Sequence, residues 1–176
     1  MGKIVFILGG ARSGKSSFAV ELAKGRNKKV AFVATCQALD REMKERIKLH
    51  IKKRPQNWQT FEEPKNLSFL LKKISRVVDV IIIDCLTLLV SNLSLGGLDD
   101  KAIEDKVSEI LKVLKSAKAK SIIVSNEVGL GIVPRNRLGR NFRDLAGRIN
   151  QIVAKQADRV FFMVSGLPLQ IKRSRR

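Results

Sequence analysis

The stretch that decides the fold is Lys3-Ile4-Val5-Phe6-Ile7-Leu8-Gly9-Gly10-Ala11-Arg12-Ser13-Gly14-Lys15-Ser16. Its first part, KIVFIL, is an apolar run closed by two glycines, which reads as a buried strand. GGARSGKS at 9–16 then satisfies G-x-x-x-x-G-K-[ST], and Phe18, Ala19, Leu22 and Ala23 follow at helical spacing over Ser16–Lys24. The motif therefore stands where its chemistry requires it, between a strand and a helix start. Glycines there let backbone N–H groups turn inward around a phosphate, and the helix N-terminus adds positive potential. Lys15 is the residue type that reaches β- and γ-phosphates, and the Ser16 hydroxyl is the type that ligates Mg2+ beside them.

The alternation continues outward. Lys29–Ala34 (KVAFVA) reads as a second strand. From Asp40, a plausible N-cap, Met43, Ile47 and Ile51 recur every four residues and predict a helix that Pro55 ends. Leu67–Ile74 reads as a helix and Val77–Asp84 (VVDVIIID) as a β-branched strand. A helix over Asp99–Ala117, a strand over Lys120–Ser125, a helix over Leu138–Ala157 and a strand over Arg159–Val164 complete the series, with Gly166 and Pro168 marking a turn. Short apolar strands alternating with amphipathic helices predict one α/β domain, with a mainly parallel sheet covered on both faces. No internal repeat or low-complexity linker divides the 176 residues.

Composition narrows the partners. With 35 Lys+Arg against 16 Asp+Glu the formal charge is +19, while 44% hydrophobic residues supply a real core. Such a balance suits nucleic acid, an anionic membrane surface or phosphorylated small molecules. Single-strand binders stack bases on exposed rings. This chain has no Tyr, one Trp and eight Phe mostly in apolar contexts, so nucleic acid is not expected. No run approaches the length of a membrane span, and no leader pattern follows Met1-Gly2-Lys3, so a cytoplasmic protein is expected. Two cysteines, Cys36 and Cys85, are too few for a disulfide framework or a four-ligand zinc site. Basic clusters at Lys24–Lys29, Lys44–Arg54, Arg135–Arg148 and Lys172–Arg176 each read, taken alone, as solvated faces, the last as a frayed tail.

Further polar groups fall at strand ends, where open α/β sheets bind ligands. Asp84 closes its strand in the position of a carboxylate that would hold Mg2+ with Ser16. Asn126-Glu127 follows the next strand, and Glu127 reads either as a substrate or metal contact or as a solvated loop residue. The single histidine, His50, lies seven residues after Met43 and three after Ile47, on or beside an apolar stripe. Two readings stand side by side. It is a packed core residue, or it is a nucleophile kept neutral by Lys48, Lys52, Lys53 and Arg54.

Four segments together resemble one family: GGARSGKS at 9–16, ATCQALDREMKERIKLHIKKRP at 34–55, DCLTLLVSNL at 84–93 and NEVGLGIVPRNRLGRNFRDLAGRINQ at 126–151. They are similar to the bifunctional adenosylcobinamide kinase/adenosylcobinamide-phosphate guanylyltransferases of cobalamin biosynthesis, over nearly the whole chain. The resemblance implies a RecA-like P-loop fold, a homotrimer and two reactions on adenosylcobinamide. The γ-phosphate of ATP or GTP would pass to a hydroxyl of the substrate, and GMP would then pass from GTP to that phosphate through a guanylylated His50. It further implies nucleotide contacts at Gly9, Gly10, Ala11, Arg12, Ser13, Gly14, Lys15 and Ser16, at Thr35, Cys36 and Gln37, at Ile51, Lys52, Lys53 and Arg54, and at Glu62 and Asp84. Cys36 stands where Ser is expected, and Ile51 and Lys53 replace more polar or smaller residues. The rival readings are another P-loop small-molecule kinase with a structural His50, and a RecA-like nucleic-acid-binding ATPase.

Overall fold

Three of the strands leave no polar side outside the core. In a computed structural model, which describes residues 2–25, 28–37 and 54–173, every residue of β1 (Ile4–Gly9) and β2 (Val30–Ala34) is buried, and so is β4 (Val80–Asp84) except Asp84. A strand buried on both faces needs a layer on each side. The other elements are α1 (Lys15–Ala23), β3 (Gln59–Glu62), α2 (Leu67–Ile74), α3 (Leu86–Leu95), α4 (Asp100–Ser116), β5 (Lys120–Val124), α5 (Arg137–Gln156), β6 (Arg159–Val164) and β7 (Leu167–Lys172). They form one seven-stranded sheet of order β3-β2-β4-β5-β1-β6-β7. Six strands run parallel, and only β7 pairs antiparallel.

Strand periodicity divides the core. Ile4, Phe6 and Leu8 enter a cluster with Leu71, Leu89, Ile103, Leu111 and Ile149 of the α2–α5 layer. Val5 and Ile7 point the other way, toward Ala19 and Ala23 of α1 and Phe32, Ile82 and Ile122 of the sheet. Truncating a side chain such as Phe6 or Ile82 would cost about 2–5 kcal/mol. The parallel strands give the sheet a carboxyl pole, where Gly9, Ala34, Glu62, Asp84 and Val124 end their strands, and an amino pole at the opposite rim.

Most expected elements stand where the sequence puts them, within a few residues. The strand read from Val77 begins at Val80, because Asp79 exchanges bonds with Lys29 before the sheet starts. The helix expected from Asp40 lies outside the described residues. Three elements escape the sequence reading. In β3 (QTFE) the outer edge leaves Gln59, Thr60 and Glu62 exposed, so no apolar alternation marks it. Helix α3 buries residues around most of its circumference, which leaves little amphipathic stripe to read. Strand β7 continues past Pro168, which an edge strand tolerates. Its turn is Ser165-Gly166, with φ of 50° and 85°, the positive pair a tight hairpin requires. Lys172 is therefore no part of a frayed tail: it ends β7, and its Nζ donates to the carbonyls of Ala154 and Lys155 near the end of α5.

Candidate functional site

The phosphate loop is set by backbone geometry at Gly9 and Gly14. Gly9 has φ +152°, and a Cβ there would lie 2.7 Å from both the Met163 carbonyl and Ser13 Oγ. Gly14, with φ +93°, is the N-cap of α1 and offers no side chain to the helix N–H groups, and the first turn holds no acidic residue. The positive end of α1 is thus left for an anion. The loop is tied down from two sides. The Glu127 N–H donates to the Gly9 carbonyl (3.0 Å), and the Gly166 N–H of the β6–β7 turn donates to the Ser13 carbonyl (3.1 Å). Ala11 and Arg12 are exposed on its crest, Arg12 with φ 55°.

Lys15 is buried, and its Nζ donates to the Gly10 carbonyl at 2.5 Å and lies 3.5 Å from Ser13 Oγ. Burial lowers its pKa, while the fields of Cys85 and Asp84 oppose that shift. The Cys85 thiol is itself pushed up to about 12, by burial first and by Asp84 second. It is neutral at physiological pH and neither a nucleophile nor a counter-charge. Asp84 is accordingly the counter-charge to Lys15.

Asp84 has a second cation. Register aligns Glu62, Ala34 and Asp84 across the ends of β3, β2 and β4, and Arg54 enters over them. Its guanidinium sits 3.5 Å from the centroid of the Phe32 ring, in cation–π contact, with Nη1 3.5 Å from Thr60 Oγ1. Burial lowers the Arg54 pKa, opposed by Asp84 and then Glu62. The carboxyl pole thus brings together Gly9–Ser16, Arg54, Glu62 and Asp84, two desolvated cations against two carboxylates. Cys36 and Gln37, half-buried, continue β2 beside them, with Cys36 Sγ 3.7 Å from the Gln37 carbonyl. His50, Ile51, Lys52 and Lys53 lie outside the described residues.

Thr35 lies beneath this cluster. Expected to touch nucleotide, it is wholly buried, and its hydroxyl donates to the Cys85 carbonyl (2.6 Å) while accepting from the Cys85 N–H (2.9 Å). Its own N–H donates to the Asp84 carbonyl, and its carbonyl accepts from Asn92. These bonds tie Thr35 to the Asp84-Cys85 backbone.

A second support was not anticipated. Thr87 Oγ1 and Ser125 Oγ lie 3.0 Å apart, Ser125 Oγ donates to Asn150 Oδ1 (2.8 Å), and Asn150 Nδ2 donates to the Asn126 carbonyl (3.2 Å). The Asn126 N–H closes the network onto Thr87 Oγ1 at 2.7 Å. These bonds join α3, just after Asp84-Cys85, to the loop after β5, whose Glu127 N–H braces Gly9. The Glu127 carboxylate accepts from the Gly129 N–H (2.9 Å) and stiffens its own turn. One signal was available: Asn150 lies beside Leu145, Ala146, Ile149 and Val153 on the buried stripe of α5. A buried Asn demands partners.

The donor set suits a hard cation, since Asp84 and Ser16 offer oxygens. No group of three His, Cys, Asp or Glu residues among the described residues could hold a metal alone. An ion here would complete its shell with phosphate and water oxygens.

Fold and loop together define a RecA-like P-loop nucleotide-binding protein. Among solved structures the fold is similar to a KaiC-like protein from Pyrococcus horikoshii OT3 (TM-score 0.54, 16% identity, 92% of this chain and 70% of that one). It is also similar to a RadB recombinase (TM-score 0.57, 14% identity, 92% and 74%). Sequence takes the assignment further. Residues 5–171 match the family model described as cobinamide kinase / cobinamide phosphate guanyltransferase. The chain is 41% identical to the bifunctional adenosylcobalamin biosynthesis protein CobU of Salmonella typhimurium, covering 96% of this chain and 99% of the relative. It is 42% identical to the corresponding CobP of Pseudomonas aeruginosa, over 94% and 95%. The chain belongs to the cobinamide kinase/cobinamide phosphate guanyltransferase family, a family of enzymes.

Proposed function

We propose that the protein phosphorylates adenosylcobinamide with ATP or GTP and then guanylylates the product from GTP through His50. The observation that carries the first step is Lys15, buried beneath the phosphate loop with its Nζ on the Gly10 carbonyl and Asp84 as its counter-charge. In this reading the loop N–H groups and Lys15 take the β- and γ-phosphates. Arg54 neutralises charge that develops during transfer, and the γ-phosphorus leaves its bridging oxygen for the substrate hydroxyl, whose proton is released. Asp84 and Ser16 would hold Mg2+, which neutralises phosphate charge when bound. Thr35 belongs to this reading as a nucleotide contact, and the Thr87–Ser125–Asn150 network positions the loop beside it.

Chain length supports one shared site for the second step. His50 precedes Arg54 by four positions, so chain length keeps their Cα atoms within ~14 Å, and Arg54 stands over Phe32 beside Asp84 and Glu62. A neutral His50 nitrogen attacks the α-phosphorus of GTP and pyrophosphate departs. The substrate phosphate then attacks the phosphoramidate, and the imidazole is restored. Ile51, Lys52, Lys53, Cys36 and Gln37 belong to this reading as nucleotide contacts.

We assign the reaction to the cytoplasm and the enzyme to a homotrimer. Support for an assembly comes from the β6–β7 edge, where Val164, Leu167, Leu169 and Ile171 are all more than half exposed; an apolar edge of that extent calls for cover. The test is a paired assay. Label from γ-labelled GTP should reach adenosylcobinamide in wild type and in His50→Asn, but not in Lys15→Ala. Transfer that survives Lys15→Ala would refute the site. Should His50→Asn fail to fold, the histidine belongs to the core instead.

A further inference from the structure

The amino pole carries a charge that the nucleotide site leaves unexplained. Lys3, Lys29, Lys120 and Arg159 stand at or just before β1, β2, β5 and β6, and the helices α1, α2 and α4 add Lys24, Arg76 and Lys118 where they end at the same rim. Two of the acids there hold backbone N–H groups. Asp79 accepts from the Lys29 N–H at 2.9 Å and Asp158 from the Ile4 N–H at 2.7 Å. Lys120 Nζ is turned inward onto the Leu22 carbonyl (3.0 Å), and its pKa is lowered by burial first and then by its neighbours Lys28 and Arg159. Among the described residues the ion pairs lie elsewhere, apart from Lys72–Glu109 at the rim. A shallow groove of about 830 Å³ opens between the ends of α2 and α4, bordered by Lys29, Arg76, Lys112 and Lys118. Among the described residues cations outnumber the carboxylates Asp79, Glu109 and Asp158 at this rim, which makes the potential positive, and its complement is an anionic surface.

The chemistry of the pole favours one such surface. Its cations are chiefly lysines, hydrated point charges without the planar fork of arginine. Its helices present their C-termini, so no positive dipole end is aimed at a phosphate and no helix stands out to enter a nucleic-acid groove. The large hydrophobic exposed there is aliphatic, Val77 at 63%, while the exposed ring of Phe69 stands in the first turn of α2, at the far end of that helix from this pole. Lysines mixed with aliphatic side chains suit a layer of lipid phosphates, where each cation near the surface adds to binding. We propose that the amino pole is a peripheral docking surface for an anionic membrane. The strands then hold the phosphate loop about 17–20 Å from the lipid, facing away from it.

The test is co-sedimentation of the full chain with vesicles of phosphatidylcholine alone or with a third phosphatidylglycerol, at ~0.1 M salt. Binding is expected only to the anionic vesicles, and ~0.5 M salt should abolish it. The triple variant Lys24→Glu/Lys28→Glu/Lys118→Glu should bind about a hundredfold more weakly while keeping its kinase activity. A variant of equal net charge, Lys65→Glu/Lys101→Glu/Lys106→Glu, lies away from the amino pole and should bind as wild type. Equal loss in both variants, or no binding by wild type, would overturn the proposal. So would duplex DNA binding that is tighter than vesicle binding and lost in the amino-pole variant.

Discussion

The two poles of the same sheet handle positive charge in opposite ways. At the carboxyl pole Lys15 and Arg54 are desolvated, and each is balanced by Asp84, Arg54 by Glu62 as well. At the amino pole the cations are mostly exposed, and the nearby carboxylates of Asp79 and Asp158 serve backbone N–H groups. Desolvated and paired charge holds a fixed geometry, which phosphoryl transfer requires. Exposed and unpaired charge builds a long-range field with little geometry, suited to a surface. Part of the +19 therefore belongs to chemistry and part to a face.

The sharpest way to break this contrast is to remove one cation from each pole. Lys15→Ala should lower the rate of phosphoryl transfer by about 10²–10³-fold or more, read as kcat in a steady-state assay, whereas Lys28→Ala should leave it unchanged. Next in size comes the support under the carboxyl pole. Asn150→Leu removes a buried amide and leaves Ser125 and the Asn126 carbonyl short of partners. It should cost about 1–3 kcal/mol of stability in urea unfolding and lower kcat by loosening Glu127 and Gly9.

Smaller still is the cost of keeping Lys15 charged. Its folded pKa is lowered, so below that value the group is charged in both folded and unfolded chains and folding loses hydration. That destabilisation is present below the lowered folded value and disappears as pH rises from there to the ordinary lysine value. Lys15→Met should accordingly raise Tm by about 2–4 °C at pH 7, with the gain shrinking in calorimetry at alkaline pH. The least effect belongs to the amino pole. Lys28→Gln relieves crowding against Lys120 and Arg159 and should raise Tm by less than about 2 °C at low salt, an increment that ~1 M salt removes.

Much of this was readable before the structure. The β1–loop–α1 unit was legible because one motif, one apolar run and one helical stripe agree, and β4 because VIIID is too β-branched and short for a helix. Asp84 was legible by its place at a strand end. What escaped was set by tertiary context. Strand β3 exists because β2 offers it a ladder, and β7 because Ser165-Gly166 turns it back onto β6. Thr35 shows the limit from the other side: no local pattern announces its two hydrogen bonds to Cys85, because they join residues fifty positions apart. The cation–π seat of Arg54 on Phe32 likewise joins residues that no local pattern connects.

In the proposed function one polar cluster serves two transfers, the second through His50. It is tested most directly by giving the protein GTP labelled at the α-phosphate, with no corrinoid, and analysing the chain itself. The account predicts stoichiometric label that is acid-labile and alkali-stable, mapped to His50 and missing from His50→Asn. Unlabelled wild-type protein, or label that persists in a folded His50→Asn, would contradict it.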